Sequence, residues 1–125
     1  MFLSGLHKNF AVSARLDPQE LSPQIILTQY EKQWVKFRCM QNSQVVKAMA
    51  DAVHKINPQA KFLLCSMPQA AKGEEDDYLK RYGIDLTLYE SFIDVHTPMI
   101  YNTDMLFYQR LQSCFDNLKK PVWIS

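Results

Sequence analysis

A chain of 125 residues is the size of one domain and is long enough to bury a hydrophobic core. Hydrophobic residues make up 47% of the chain and charged residues 22%, which excludes an intrinsically disordered protein. Fourteen basic and thirteen acidic side chains leave a net charge of +1, so the charge favours neither nucleic acid nor an anionic membrane surface as a partner.

The first predicted elements are a strand and the start of a helix. Residues 10–16 are largely apolar and end at Asp17-Pro18, which predicts a short strand. Ser22-Pro23 then predicts a helix start, because serine is a favoured N-cap and proline fits the first helical position.

A long helix is predicted after this start. Apolar residues recur at spacings of three and four, the pattern of one helix face. They are Ile26, Tyr30, Trp34, Phe37, Val45, Val46, Met49, Val53 and Ile56. Polar residues 41–43 interrupt this pattern, so we expect a bend or a new helix cap there. The helix should end at Asn57-Pro58, because the residue before a proline avoids the helical conformation.

The rest of the chain alternates between strands and helices. Strands are predicted at residues 61–67, 93–101 and 121–125, and helices at residues 74–92 and from Thr103 or Asp104 to about Leu118. The first of these strands is a continuous apolar run, which is typical of a strand buried on both faces. The first of the helices should be broken in two around Tyr82-Gly83.

This order of elements predicts an α/β fold. A β-α-β-α-β-α-β chain builds a parallel sheet with right-handed crossovers. A complete (β/α)₈ barrel takes about 250 residues, so we expect residues 1–125 to form a single half-barrel domain, a fragment of a larger barrel. A small doubly wound sheet is the alternative. Because a half barrel exposes strand edges and apolar surface, we also expect self-association or pairing with a missing half.

Several short stretches resemble a family of uncharacterised, glycoside-hydrolase-like barrel proteins. They are residues 30–38, 56–61, 82–85 and 92–94 and the strand end at residues 98–101. In such proteins these segments form the C-terminal half of the barrel, and the resemblance covers the chain from about Phe10 onward. It implies a carbohydrate-active protein that hydrolyses glycosidic bonds, with a carbohydrate substrate and no cofactor.

The resemblance also implies an acidic residue at the end of the first strand, where Asp17 and Glu20 lie. Catalytic groups of barrels gather at the C-terminal ends of the strands, and glycoside hydrolysis uses two carboxyl groups. These two residues are therefore the catalytic candidates. The alternative is structural: Asp17 as N-cap, Pro18 at the first helical position and Glu20 beyond it also describe a helix start.

Four further residues are candidates for sugar binding. Tyr101 and Asn102 follow a strand in a pattern that resembles the Met-x-Tyr-Asp strand end of chitinase-type barrels, although asparagine replaces the acid. Trp123 could stack on a sugar ring, and His96 lies in the same predicted strand as Tyr101. Each also has a structural alternative: strand-end packing and turn formation for the first two, core packing for the tryptophan and an interior position for the histidine.

Other features of the sequence suggest no additional chemistry. Three widely spaced cysteines, Cys39, Cys65 and Cys114, are expected to be buried thiols. The acidic run at residues 74–77 lacks the glycine and ligand spacing of a calcium loop and is expected to be the solvated first turn of a helix, so no metal site is predicted. No export signal and no apolar run of about 18 residues is present, so we expect a soluble chain without a membrane span.

Two functional hypotheses follow. The first is a glycoside hydrolase that uses Asp17 and Glu20. The second is a non-catalytic module that binds carbohydrate or associates with a partner, since half a barrel should not hold a complete catalytic mouth.

Overall fold

The structure, a computed structural model, describes residues 2–70, 73–101 and 104–124. It divides into two compact units, Met1–Arg38 and Cys39–Ser125. The elements in chain order are α1 (Phe2–Ala14), α2 (Pro23–Gln29), α3 (Glu31–Ile56), β1 (Leu63–Ser66), α4 (Glu75–Tyr82), a 3₁₀ helix (Leu86–Tyr89), β2 (Val95–Pro98) and α5 (Asp104–Asn117). In this part of the chain, no helix is both long and apolar enough to cross a membrane.

The predicted half barrel is wrong. The described residues are mostly helical and contain two short strands, β1 and β2, which pair in parallel. The predicted strand at residues 10–16 is instead mostly part of α1. Of the strand predicted at residues 121–125, the described residues 121–124 form a single bridge, between Val122 and His96. With only two strands in the described sheet, the repeat needed to close a barrel is missing.

In the first unit, helical spacing explains why residues 10–16 are not a strand. Phe10 and Ala11 are fully buried, and Leu6 and Ala14 pack on the same apolar cluster. These spacings of three and four bury one face of a helix, whereas a strand would alternate. Arg15 then ends α1 in the left-handed conformation with φ of 57°.

The predicted helix start at Ser22 is confirmed. The Ser22 hydroxyl accepts a hydrogen bond from the Ile25 amide (3.2 Å), and Pro23 takes the first helical position. Ile26 from α2 packs with Phe10 and with Phe37 from the start of α3. The rings of Phe10 and Phe37 meet edge to face, with 5.5 Å between centroids, a favourable aromatic arrangement.

The long helix is interrupted at a different place from the one predicted. The break falls at Tyr30, between α2 and α3, and α3 passes through residues 41–43 without interruption. The polar side chains there have partners: the Asn42 amide donates to the Gly83 carbonyl (2.7 Å), and the Ser43 hydroxyl donates to the Met40 carbonyl (2.9 Å). The predicted end before Asn57 is confirmed.

The second unit contains the parallel pair and the elements packed on it. Leu63 of β1 pairs with Val95 of β2, and the register continues to Ser66 opposite Pro98. The buried core contains Leu86, Tyr89, Ile93, Cys114 and Leu118, contributed by the 3₁₀ helix, the segment before β2 and the C-terminal end of α5. As predicted, the segment before β2 is broken near Gly83, which ends α4 with a φ of 63°.

Candidate functional site

The two catalytic candidates lie together in the first unit, in the loop between α1 and α2. Asp17 and Glu20 both line an open cavity of about 260 Å³ with Gln29 and Tyr30. The Asp17 carboxylate accepts a hydrogen bond from the Gln19 amide (2.8 Å), which is a local turn interaction. Both carboxyl groups belong to exposed residues and follow a helix rather than a strand, so the barrel-mouth placement expected for them is wrong.

Among the described residues, the sugar-binding candidates Tyr101, His96 and Trp123 line neither the open cavity of the first unit nor a polar cavity between α4 and α5. Tyr101 is 81% exposed and follows β2, whereas Trp123 is exposed beside the Val122 bridge. The prediction for Asn102 falls outside the described residues. His96 is fully buried in β2, in agreement with the interior alternative.

His96 and Glu90 connect the 119–123 segment to β2. His96 Nε2 lies 2.6 Å from Glu90 Oε1, and Glu90 Oε2 accepts hydrogen bonds from the Lys119 amide (3.1 Å) and the Lys120 amide (3.0 Å). The His96 main chain accepts a further bond from the Trp123 amide (2.8 Å). Since His96 has no solvent exposure, this arrangement is structural.

A different polar cavity lies in the second unit, between α4 and α5. This α4–α5 cavity has a volume of about 180 Å³. It is lined by Gly73, Glu74, Asp77, Tyr78, Arg81, Tyr82 and Arg110. The α4 side chains lie on one face because positions four residues apart are neighbours on a helix, which pairs Asp77 with Arg81 and Tyr78 with Tyr82.

Two tyrosines form the aromatic part of the α4–α5 cavity. The rings of Tyr78 and Tyr82 lie 4.7 Å apart at an angle of 50°. Tyr78 is buried, and its hydroxyl donates a hydrogen bond to the Pro68 carbonyl, which fixes the ring. Burial raises the pKa of Tyr78, so its hydroxyl stays protonated at neutral pH. Tyr82 is only half-buried and offers ring surface to a ligand.

Arg110 provides the fixed polar part of the α4–α5 cavity. Its guanidinium lies 5.6 Å from the centroid of the Tyr78 ring, within cation–π range, and Nη2 lies 3.4 Å from Glu74 Oε2. Asp77 and Arg81 add an exposed acid and an exposed base. The cavity therefore holds two positive and two negative side chains, and its formal charge is neutral.

Part of the α4–α5 cavity could be predicted from the sequence. The acidic run at residues 74–77 forms the first turn of α4, and residues 75–77 are exposed as predicted. A charged residue followed by a tyrosine occurs at Asp77-Tyr78 and again four residues later at Arg81-Tyr82. This spacing could have indicated a shared helix face. Arg110 comes from a distant helix, and no local pattern places it over Tyr78.

Cys65 is the one cysteine whose predicted burial is wrong. Cys39 and Cys114 are buried, whereas Cys65 in β1 is exposed. The prediction assumed a strand covered on both faces, but β1 leaves its Leu63 and Cys65 side chains exposed.

Comparisons with family models, curated proteins and solved structures gave no match for this chain. The resemblance to barrel glycoside hydrolases therefore stays a prediction from short motifs.

Proposed function

We propose that this chain binds carbohydrate in the α4–α5 cavity without cleaving it. The observation that carries this proposal is the combination of a partly exposed tyrosine with charged groups of both signs around one small cavity. Aromatic rings pack on the apolar face of a sugar, while guanidinium and carboxylate groups bind its hydroxyls as donors and acceptors.

The size and charge of the cavity favour a neutral, compact ligand. A volume of about 180 Å³ is many times the roughly 10–15 Å³ that one water needs in a cavity, so the cavity has space for a small ligand such as one sugar ring. A phosphate or carboxylate ligand would meet Glu74 and Asp77 as well as the arginines, and repulsion from the acids would offset the attraction. A polyhydroxyl compound can use both signs of charge.

The groups are also held in place before a ligand arrives. Arg110 is held by its ion pair with Glu74 and its contact with Tyr78, and Tyr78 is held by its bond to Pro68. A site with fixed side chains loses less conformational entropy on binding. The carboxylate of Glu74 is paired with Arg110, and that of Asp77 is exposed to solvent. Neither carboxyl group lies in the apolar pocket that a glycosidase acid requires. This favours binding over hydrolysis.

A binding experiment tests the proposal. We expect monosaccharides from a panel of neutral hexoses and pentoses to bind with a Kd on the order of 1 mM, measured by saturation-transfer NMR and calorimetry. Tyr82→Ala removes the exposed ring face and should weaken binding by about tenfold or more. Arg81→Gln should weaken sugar binding less than Tyr82→Ala does, because Arg81 is more exposed to solvent than Tyr82.

Tyr108→Ala is the matched control, since Tyr108 is an exposed tyrosine of α5 that does not line the cavity. It should bind sugar as the wild type does. Failure of every sugar to bind, or unchanged binding by Tyr82→Ala with an intact circular dichroism spectrum, would contradict the proposal. Release of nitrophenol from aryl glycosides that disappears in Asp17→Asn and Glu20→Gln would instead support the hydrolase alternative, whose candidates share the cavity of the first unit.

A further inference from the structure

Strand β1 has an edge that no other strand covers in the described part of the chain. The Met99 amide and the Thr97 hydroxyl donate to the carbonyls of Ser66 and Leu64, so these carbonyls face β2. Because successive residues of a strand point to opposite edges, the main-chain groups of Leu63 and Cys65 face away from β2. Among the described residues, β1 pairs with β2 alone.

The sequence of this edge offers little protection against pairing beyond its short length of four residues. Natural edge strands are commonly guarded by charged residues, prolines or bulges. Leu63–Ser66 contains neither a charge nor a proline, and the side chains of Leu63 and Cys65 are exposed. The edge can therefore accept another strand.

An exposed apolar stripe on α3 adjoins the edge. This α3 stripe consists of Val45, Met49, Val53 and Ile56, whose exposed fractions run from 37% to 86%. Its spacing of four, four and three residues places it along one side of the helix. Val45 and Cys65 line the same cavity of about 440 Å³ in the second unit, so the Val45 end of the stripe lies next to β1.

The dimensions of the two features match. Four residues of β1 extend about 13 Å, and the eleven-residue step from Val45 to Ile56 extends about 16 Å. At roughly 100 Å² for each fully exposed aliphatic side chain, the stripe and Leu63 expose roughly 300 Å² of apolar surface. Two such surfaces, with the main chain of the strands, fall in the range below about 1,200 Å² that is typical of weak, reversible interfaces.

We propose that this surface binds a second copy of the chain about a twofold axis. Cys65 lies near the axis, β1 pairs antiparallel with the partner's β1, and the two α3 stripes pack against each other. A twofold interface uses the same patch on both subunits, and both features suit that rule. An edge of amides and carbonyls complements its own antiparallel copy, and an apolar stripe is covered by an identical stripe.

A second copy accounts for more of the surface than an extended peptide does. An extended peptide added to β1 would form hydrogen bonds with the main-chain groups of the edge. It would leave the part of the α3 stripe that lies away from β1 exposed to water. A second copy covers the edge and the stripe together. The proposal is independent of carbohydrate binding, because no residue of the α4–α5 cavity takes part.

Sedimentation equilibrium of the full chain tests the assembly. We expect the apparent mass to rise with concentration to twice the monomer mass. Met49→Lys places a charge at the middle of the stripe and should weaken the dimer by about tenfold or more. Val45→Gln serves as a second variant in case Met49→Lys alters folding. Met105→Lys makes the same change at another exposed methionine, which lies in α5, and should leave the dimer intact.

A short bifunctional maleimide tests the position of the axis. Cys39 and Cys114 are buried and Cys65 is exposed, so the reagent should join two chains through Cys65. Cys65→Ser should remove the cross-linked dimer without changing the sedimentation mass. The proposal is overturned by a chain that stays monomeric at the highest concentration, by a dimer that Met49→Lys and Val45→Gln leave unchanged, or by a dimer that Cys65 does not cross-link.

Discussion

Asp94 joins the segment before β1 to the segment before β2. Its Oδ2 accepts a hydrogen bond from the Phe62 amide (2.8 Å), and its Oδ1 accepts one from Lys61 Nζ (3.2 Å). His54 Nε2 lies 3.7 Å from the same carboxylate. The Phe62 amide, followed by Lys61 and His54, lowers the pKa of Asp94 against a smaller opposing effect of burial.

The lowered pKa of Asp94 predicts a stability change in acid. The native state prefers the carboxylate, so its stabilisation is complete above the usual aspartate pKa of about 4 and is lost as the pH falls through the lower native pKa. Asp94→Asn should reduce the free energy of unfolding at neutral pH by about 1 kcal/mol and flatten its fall below about pH 4. Urea unfolding at a series of pH values measures both effects.

Asp116→Asn is the control for this prediction. Asp116 is exposed near the end of α5 and accepts only a bond from the side chain of Gln112 among the contacts described. Its replacement should change the free energy of unfolding by less than about 0.5 kcal/mol. Equal acid dependence of the wild type and Asp94→Asn would show that another group controls the transition.

At the residue scale, the sequence predicted few of the hydrogen-bond partners of individual side chains. Asp17 and Glu20 were expected at the end of a barrel strand, and they lie instead in the loop after α1. His96 was correctly allowed an interior position, but its partner Glu90 was not found. The pairing depends on how a turn after the 3₁₀ helix returns to β2, which no spacing in the sequence encodes.

At the scale of elements, helices and strands were predicted correctly where boundary residues such as proline agreed with the pattern of apolar residues. Ser22-Pro23 and Asn57-Pro58 mark helix boundaries through backbone restrictions that hold in any fold. The apolar runs of β1 and β2 lie within the predicted strands. Residues 10–16 failed because a short apolar run fits a strand and a buried helix face equally well, and the contacts of Phe10 with Trp34 and Phe37 decide the outcome.

The end of α1 provides a prediction of its own. Arg15 adopts the left-handed conformation, which costs a residue with a Cβ about 1–2 kcal/mol. Arg15→Gly should therefore raise the free energy of unfolding by about 0.5–1 kcal/mol, after the larger entropy of the unfolded glycine is subtracted. Thermal and urea unfolding measure the change.

The same substitution inside α1 should have the opposite sign. Lys8→Gly lies at an exposed helical position and should lower the free energy of unfolding by about 1 kcal/mol. If both variants are destabilised by similar amounts, the left-handed C-terminal end of α1 is not formed in solution.

At the scale of the whole molecule, the half-barrel prediction failed through extrapolation. The parallel pairing of β1 and β2 is correct as a local unit, and barrel closure was inferred by repeating it. Repetition requires each helix to be preceded by a strand, and α1 and α2 take the place of that strand before α3. Local patterns identify a unit, whereas the number of units depends on long-range packing.

The two units have separate cores, which predicts separate local stabilities. The cluster around Phe10 belongs to the first unit and the cluster around Leu86 to the second, and they share no residue. Phe10→Ala, which costs about 3–5 kcal/mol in a packed core, should raise amide hydrogen exchange in α1 and α2 by about tenfold or more while β1 and β2 change little.

Leu86→Ala should reverse this pattern. Leu86 is fully buried in the core of the second unit. Exchange measured by mass spectrometry on the two variants therefore reports which amides depend on which core. Loss of protection across both units from either substitution would mean that they unfold as one cooperative body.

The hydrogen bonds around His96 and Glu90 have a mechanical consequence. A pulling force on residue 124 loads the bond between the Trp123 amide and β2 first, and it reaches the bonds of Glu90 to the Lys119 and Lys120 amides afterwards. The Glu90 contacts are therefore the last to break in this segment. Stretched from residue 124, the chain should extend in more than one step, and Glu90→Gln should lower the force of the later step.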